Sequence, residues 1–211
     1  MTPVEFAQAT GVSRETLARF EAYAGLLERW RERVNLVSPA SLADLWRRHM
    51  LDSAQLFPLV PSGTRRLVDL GSGAGFPGLV LAIMGVPGVE LVESDGRKCA
   101  FLEAVIRETG VGAAVHHARV EALARVPADV VTARALAPLP RLLALAERFV
   151  GPETLCLFPK GARVDEELTA AAKEWTMDLV RIPSSTDPSG TILHIQHIQG
   201  VTRDAQRRPR P

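Results

Sequence analysis

From Ser13 onward, apolar residues recur every three or four positions: Leu17, Phe20, Ala24, Leu27, Trp30 and Val34. Arg19, Glu21, Glu28, Arg29, Arg31 and Glu32 fill the other faces. That period predicts an amphipathic helix, N-capped by Ser13 and packed along one side. A second helix is predicted from Ser41 to about Phe57. Asp44, three residues on, completes a capping-box-like pair, and Pro58 and Pro61 stop it. The pattern then changes. Between Leu67 and about Gln199, short runs rich in Leu and β-branched residues alternate with helical stretches. RLVDL, VELVE, AAVHHA, ADVVTA, TLCLF, MDLVRI and TILHIQHI read as strands. Helices are predicted near Gly78–Met84, Lys98–Thr109, Pro140–Phe149 and Val164–Trp175. Such alternation predicts an α/β fold with a mostly parallel, seven-stranded sheet covered on both faces. PSSTDPSG joins the last two runs without a helix, so they should close the sheet as an antiparallel hairpin. Residues 1–62 then form an N-terminal helical extension packed on the core, and 63–200 a ligand-binding domain.

Composition narrows this picture. A chain of 211 residues, 46% hydrophobic and 23% charged, fits one substantial globular domain. Cys99 and Cys156 lie far apart without CxxC spacing, which argues against a disulfide scaffold or a zinc site and for a reducing compartment. The histidines at 116, 117, 194 and 197 lie on predicted strands with no Cys or paired acids at ligand spacing, so no metal is expected. No run approaches the roughly 20 apolar residues of a membrane span, and a cytoplasmic location with no membrane partner follows as the expectation. Trp30 and Trp46 read as core between the helices and the sheet. Net charge is only +1, so bulk electrostatics do not announce a nucleic-acid binder. Residues 201–211 read as a basic, disordered tail; RDAQRRPRP holds four Arg against one Asp.

LVDLGSGAGFPG, residues 67–78, carries the chemistry. A glycine loop between a first strand and a helix is where doubly wound sheets bind nucleotides and nucleosides. No Lys-Ser/Thr follows, so a P-loop is unsupported. The register Gly73-x-Gly75-x-x-Gly78 satisfies the dinucleotide pattern, but Asp69 just before the loop would repel a pyrophosphate at the helix N-terminus. Asp69 suits a ligand with a positive end, or is a structural acid capping loop amides. Glu93 ends the second strand about twenty residues on, the distance at which a carboxylate accepts from both hydroxyls of a ribose. A cationic head and a ribose without a pyrophosphate describe S-adenosylmethionine better than NAD.

DLGSGAGFPG resembles the first motif of Rossmann-like class I S-adenosylmethionine-dependent methyltransferases. With VESDGRKCAFL, WRERVNLVS, RRHMLDS, HARVEAL, TARALAPL and FPKG, the chain is similar to the RsmG (GidB) family of 16S rRNA guanine-N7 methyltransferases over roughly residues 20–170. The resemblance implies methylation of one guanine N7 in the decoding-region loop of 16S rRNA, free or in a small-subunit particle, and no particular oligomer. It implies cofactor contacts at Gly71, Gly73, Gly75 and Phe76, with Glu93 and Ser94 at the ribose, Val120 and Glu121 at the adenine, and Arg134 at the mouth. Ala74, Ala133 before Arg134, and Pro159 depart from the commonest family pattern.

Three features compete for the RNA side. His49, Asp52 and Ser53 share a helix face, and Arg48 with Asp52 forms an i,i+4 pair; docking of this helix is the other reading. Arg134 follows the fourth strand at the carboxyl edge, where it orients substrate by guanine O6 or phosphate, or makes a salt bridge. Lys160 ends the fifth strand and orients substrate or is a solvated loop lysine. Guanine N7 needs no proton removed before it attacks a methyl group, so no catalytic base is assigned. A same-fold methyltransferase acting on a small molecule or protein, an NAD(P)-dependent oxidoreductase, and a non-catalytic RNA-binding module are the alternatives.

Overall fold

The computed structural model describes residues 1–201, so residues 202–211, nearly all of the basic tail singled out above, lie outside the described residues. The chain opens with a helix that the periodicity did not announce, α1, Pro3–Thr10. Local chemistry makes it. Thr2 Oγ1 accepts from the Glu5 amide, the Glu5 carboxylate accepts from the Thr2 amide, Pro3 begins the helix, and Gly11 ends it at φ 69°. Helix α2, Arg14–Trp30, starts where predicted, its Ser13 cap accepting from Thr16 at 3.2 Å. Its buried face is Phe20, Tyr23, Leu26 and Leu27.

The second predicted helix is broken into pieces. Ser38, not Ser41, is its cap, accepting from the Ser41 amide before α3, Pro39–Leu42. Asp44 instead lies 3.9 Å from the N-terminal amine. A π-helical turn follows at Trp46–Leu51, then α4, Asp52–Ala54, and a 3₁₀ turn, Phe57–Leu59. Within this wide turn the Arg48 carbonyl accepts from Arg134, 86 residues away. The Arg48–Asp52 pair does not form, because Asp52 is taken by Arg134 as well.

Among the described residues, seven strands and four further α-helices follow, with 3₁₀ turns at Val120–Ala122 and Glu147–Phe149. They are β1 Leu67–Leu70, α5 Gly78–Ile83, β2 Val89–Glu93, α6 Gly96–Thr109, β3 Ala113–His117 and β4 Val130–Thr132. Then come α7 Leu139–Ala146, β5 Leu155–Lys160, α8 Val164–Ala171, β6 Trp175–Pro183 and β7 Thr191–Gly200. Helix α8 is shorter than predicted: Trp175 pairs with Gly200 at the start of β6. The sheet order is β3-β2-β1-β4-β5-β7-β6. Neighbours among β1–β5 are parallel, while β7 runs antiparallel to both β5 and β6. This is the mostly parallel α/β sheet with a terminal antiparallel hairpin that the sequence predicted.

Strand alternation sends successive side chains to opposite faces. Leu67 joins one apolar cluster with Phe6, Phe20, Tyr23, Leu27, Leu79 and Phe101, which unites the N-terminal helices, α5 and α6. Val68 and Leu70 join the other, with Leu142, Leu143, Phe149 and Phe158 beneath α7 and α8. Trp30 packs edge-on against Phe101 and Trp46 against Phe6. Cys99 and Cys156 are buried thiols. No helix among the described residues is long and apolar enough to cross a membrane.

Candidate active site

The glycine loop leaves β1 at the carboxyl edge of the sheet. Gly71, Gly73 and Gly75 have φ of 63°, 56° and 97°, a region L-residues with side chains rarely enter. Two of them also lie close to neighbouring side chains. A Cβ at Gly71 would lie 2.4 Å from Leu136 Cδ1, and one at Gly75 2.5 Å from Leu79 Cδ1 and 2.7 Å from the Tyr23 hydroxyl. Gly73 has open space, with only the Gly71 carbonyl at 3.8 Å.

Glu93 ties this loop to the next. One carboxylate oxygen accepts from the Gly73 amide and the other from the Ser94 and Asp95 amides, all at 2.8 Å. Above it opens a cavity of about 400 Å³. Gly71, Gly73, Glu93, Ser94, Val120 and Glu121 line it, which places six of the ten predicted cofactor residues around one space. Lys98, Arg119, Leu136 and Arg141, not singled out from sequence, also stand in the wall. Arg141 reaches Glu121 at 2.6 Å in an exposed pair.

The other four predicted cofactor residues lie elsewhere. Asp69 shares Leu67's strand parity and therefore points toward α5, fully buried, rather than into this cavity. Thr132 Oγ1 donates to Oδ1 at 2.7 Å, and the second oxygen is buried without a full hydrogen bond. Burial pushes its pKa up to about 6, against the opposing help of Thr132, Ser72, the Gly78 amide and Arg134. Phe76 and Gly75 lie outside this cavity's lining: the Phe76 ring stacks on Tyr23 at 5.4 Å, and the Tyr23 hydroxyl donates to the Ala74 carbonyl.

Arg134 lines a second cavity, of about 540 Å³, together with Asp52, Gln55, Lys160, Arg163, Glu167 and Asp187. It is the hub of a half-buried cluster. Its guanidinium donates to the Arg48 carbonyl and Asp52 at 3.1 Å and to His49 Nδ1 at 2.7 Å, 4.9 Å over the Phe76 ring. His49 stacks on the same ring. Burial, then Arg134 and Arg48, push its pKa down to about 3, so it is neutral and accepts at Nδ1. Asp52 also accepts from Thr186 at 2.7 Å, which pins the β6–β7 loop to the N-terminal segment.

Two of the three RNA-side candidates sit in bonded or stacked surroundings. His49 is a half-buried stacking residue, and Lys160 is no solvated loop lysine: its ammonium donates to the Ala137 carbonyl at 2.9 Å and to Glu167 at 2.8 Å. Glu167 also accepts from the Leu139 amide. The Arg48 guanidinium alone of these three stands exposed, without a hydrogen-bond or ion-pair partner among the described residues. Arg163, absent from the sequence candidates, is exposed at the second cavity as well.

A doubly wound sheet with this strand order, a glycine loop after β1 and an acid ending β2 defines a chain with the Rossmann-like fold of methyltransferases. Solved structures agree on the fold. A TehB-like SAM-dependent methyltransferase from Corynebacterium glutamicum superposes with a TM-score of 0.58 at 15% identity, covering 84% of this chain and 98% of that one. A mutant of MtNAS in complex with S-adenosylmethionine gives a TM-score of 0.58 at 20% identity, covering 84% and 71%. Residues 16–194 match the family model GidB, rRNA small subunit methyltransferase G. Ribosomal RNA small subunit methyltransferase G of Paramagnetospirillum magneticum is 58% identical over 94% of this chain and 97% of its own length. The protein of that name from Rhodospirillum rubrum is 56% identical over 94% and 98%. The chain belongs to the rRNA small subunit methyltransferase G family.

Proposed function

We propose that the chain methylates the N7 of one guanine in the decoding-region loop of 16S rRNA, using S-adenosylmethionine and acting in the cytoplasm on RNA or a small-subunit particle. The observation that carries this is the Glu93 carboxylate on the floor of the first cavity, directly beside a second cavity large enough for a purine. The residues fit the cofactor. Glu93 accepts three backbone amides and keeps a lone pair, on the oxygen that meets Gly73, for a ribose hydroxyl, and its negative charge disfavours a pyrophosphate. Ser94 flanks the ribose, Val120 and Glu121 the adenine, and Gly71 and Gly73 let backbone approach the amino-acid end. When bound, S-adenosylmethionine supplies an electrophilic methyl group.

The rest of the chemistry falls to the chain. Guanine N7 has an in-plane lone pair free at neutral pH, so the residues must orient the base and need not deprotonate it. The second cavity suits that task. Asp52 is held by Arg134 and Thr186, and Glu167 by Lys160 and the Leu139 amide, so neither is free to act as a base. Both carboxylates offset the positive charge that N7 methylation leaves on the purine. Arg134 keeps N–H groups beyond its three contacts, and these are assigned to guanine O6 or a flanking phosphate. Lys160 acts indirectly, by fixing the loop after β4.

The test is methyl transfer to RNA from a strain lacking the gene, followed by mass-spectrometric mapping of methylated nucleotides. The expected result is label on a single 16S guanine N7, absent when wild-type RNA is offered. Equal labelling of both RNAs would overturn the rRNA assignment. Label confined to protein or small molecules would favour the other substrate class.

A further inference from the structure

We propose that Leu136 is a movable partition between the two cavities, a positioning residue for methyl transfer; the proposal rests on the functional reading above. Ala135, Leu136 and Ala137 are the described residues that line both spaces. The alanines offer single methyl groups, so the bulk between the cavities is the Leu136 side chain. It rests on Gly71, where a built Cβ would come within 2.4 Å of Cδ1. That is the first residue of the glycine loop and part of the cofactor floor. Reacting atoms must approach to about 3–3.5 Å. A leucine seated on Gly71 between donor and base forbids that approach, so the side chain has to leave its seat for transfer.

The segment is built to let it leave. Leu136 is 37% exposed, and no backbone hydrogen bond joins Ala135 or Leu136 to the other described residues. Ala135 holds φ 55°, a conformation disfavoured for any residue with a Cβ. Both flanks are fixed. Arg134 is held by Asp52 and the Arg48 carbonyl, and the Ala137 carbonyl accepts from Lys160 at 2.9 Å. Motion is therefore confined to two residues.

The native cysteines make a direct readout possible, since Cys99 and Cys156 are both buried. In Leu136→Cys, alkylation by a small thiol reagent reports position 136. Saturating S-adenosylhomocysteine is expected to raise its rate at least threefold; an unchanged or slowed rate overturns the partition and makes residue 136 a fixed wall. A second pair of variants asks the same in turnover. Leu136→Phe should lower kcat on rRNA tenfold or more, and Leu136→Ala should lose at least threefold less than Leu136→Phe. Equal kcat in all three, or a loss in Ala as deep as in Phe, overturns the proposal. A native chain that binds no S-adenosylhomocysteine overturns the functional reading and the partition together. Native binding and turnover with an unmoved alkylation rate sink the partition alone.

Discussion

At the scale of single residues, the buried Asp69 and the stacked His49 give the molecule opposite responses to acid. His49 has its pKa pushed down to about 3 by burial and two arginines, so the unfolded chain binds the extra proton first. Its contribution is lost as pH falls from about 6.5 toward 3. Asp69 is pushed up to about 6 by burial, so the folded chain binds its proton first and Asp69 costs stability as pH rises from about 4 to 6. Urea melts across pH 4–7 are expected to show a flatter acid-side loss in His49→Gln and a steeper one in Asp69→Asn. Parallel pH profiles for the native chain and both variants would refute these assignments. Strand parity turns Asp69 toward α5, outside the lining of the first cavity. Asp69→Asn should accordingly weaken S-adenosylmethionine and adenosine by similar factors in calorimetry; selective loss of the charged ligand would restore a direct role. Glu93→Ala removes the acceptor of three amides. With a charged hydrogen bond worth about 1.5–3 kcal/mol, S-adenosylhomocysteine binding should fall at least tenfold and the Tm should drop. Unchanged affinity would remove Glu93 from the site.

At the scale of elements, the join between the π turn, the loop after β4 and the β6–β7 loop is the structural decision that shapes the second cavity. Asp52 makes it, bonded to Arg134 on one oxygen and Thr186 on the other, with both ion-pair partners less than a fifth exposed. Replacing Asp52 by Ala leaves Arg134 without its charge partner, at a cost of about 1–3 kcal/mol after solvent relaxation. The expected kinetic signature is a raised KM for rRNA with little change in S-adenosylhomocysteine affinity, because the first cavity does not include Asp52. Equal loss at both ligands would show that the cavities are not separable. This join was illegible in sequence. The expected i,i+4 partner of Asp52 was Arg48, and the actual one lies 82 residues away. By contrast, the α1 capping box was present in TPVE, but eight residues are too few for apolar periodicity to show.

The whole molecule ties its helical N-terminus to the sheet through one apolar cluster. Phe6, Phe20, Tyr23 and Leu27 are fully buried together with Leu79 and Phe101. Each such side chain is worth about 1.5–3 kcal/mol on burial. We infer that 1–62 is an extension which cannot be separated from 63–200. A chain beginning at residue 63 should aggregate or lack near-UV dichroism. A cooperatively melting truncation that still binds S-adenosylhomocysteine would mark the boundary as a true domain border.

Sequence alone determined the order and type of the strands, the glycine loop with its following acid, and the family. All of these depend on neighbours in the chain: period-2 and period-3.6 patterns, turn residues and motif spacing. Tertiary structure alone decided which polar groups face a ligand and which are consumed within the fold. Asp69, His49 and Lys160 each meet a partner remote in sequence: Thr132 on one Asp69 oxygen, Arg134 on His49 Nδ1 and the Ala137 carbonyl at Lys160. A hydrogen bond is satisfied only within about 3 Å, and the partner that satisfies it can stand anywhere in the chain.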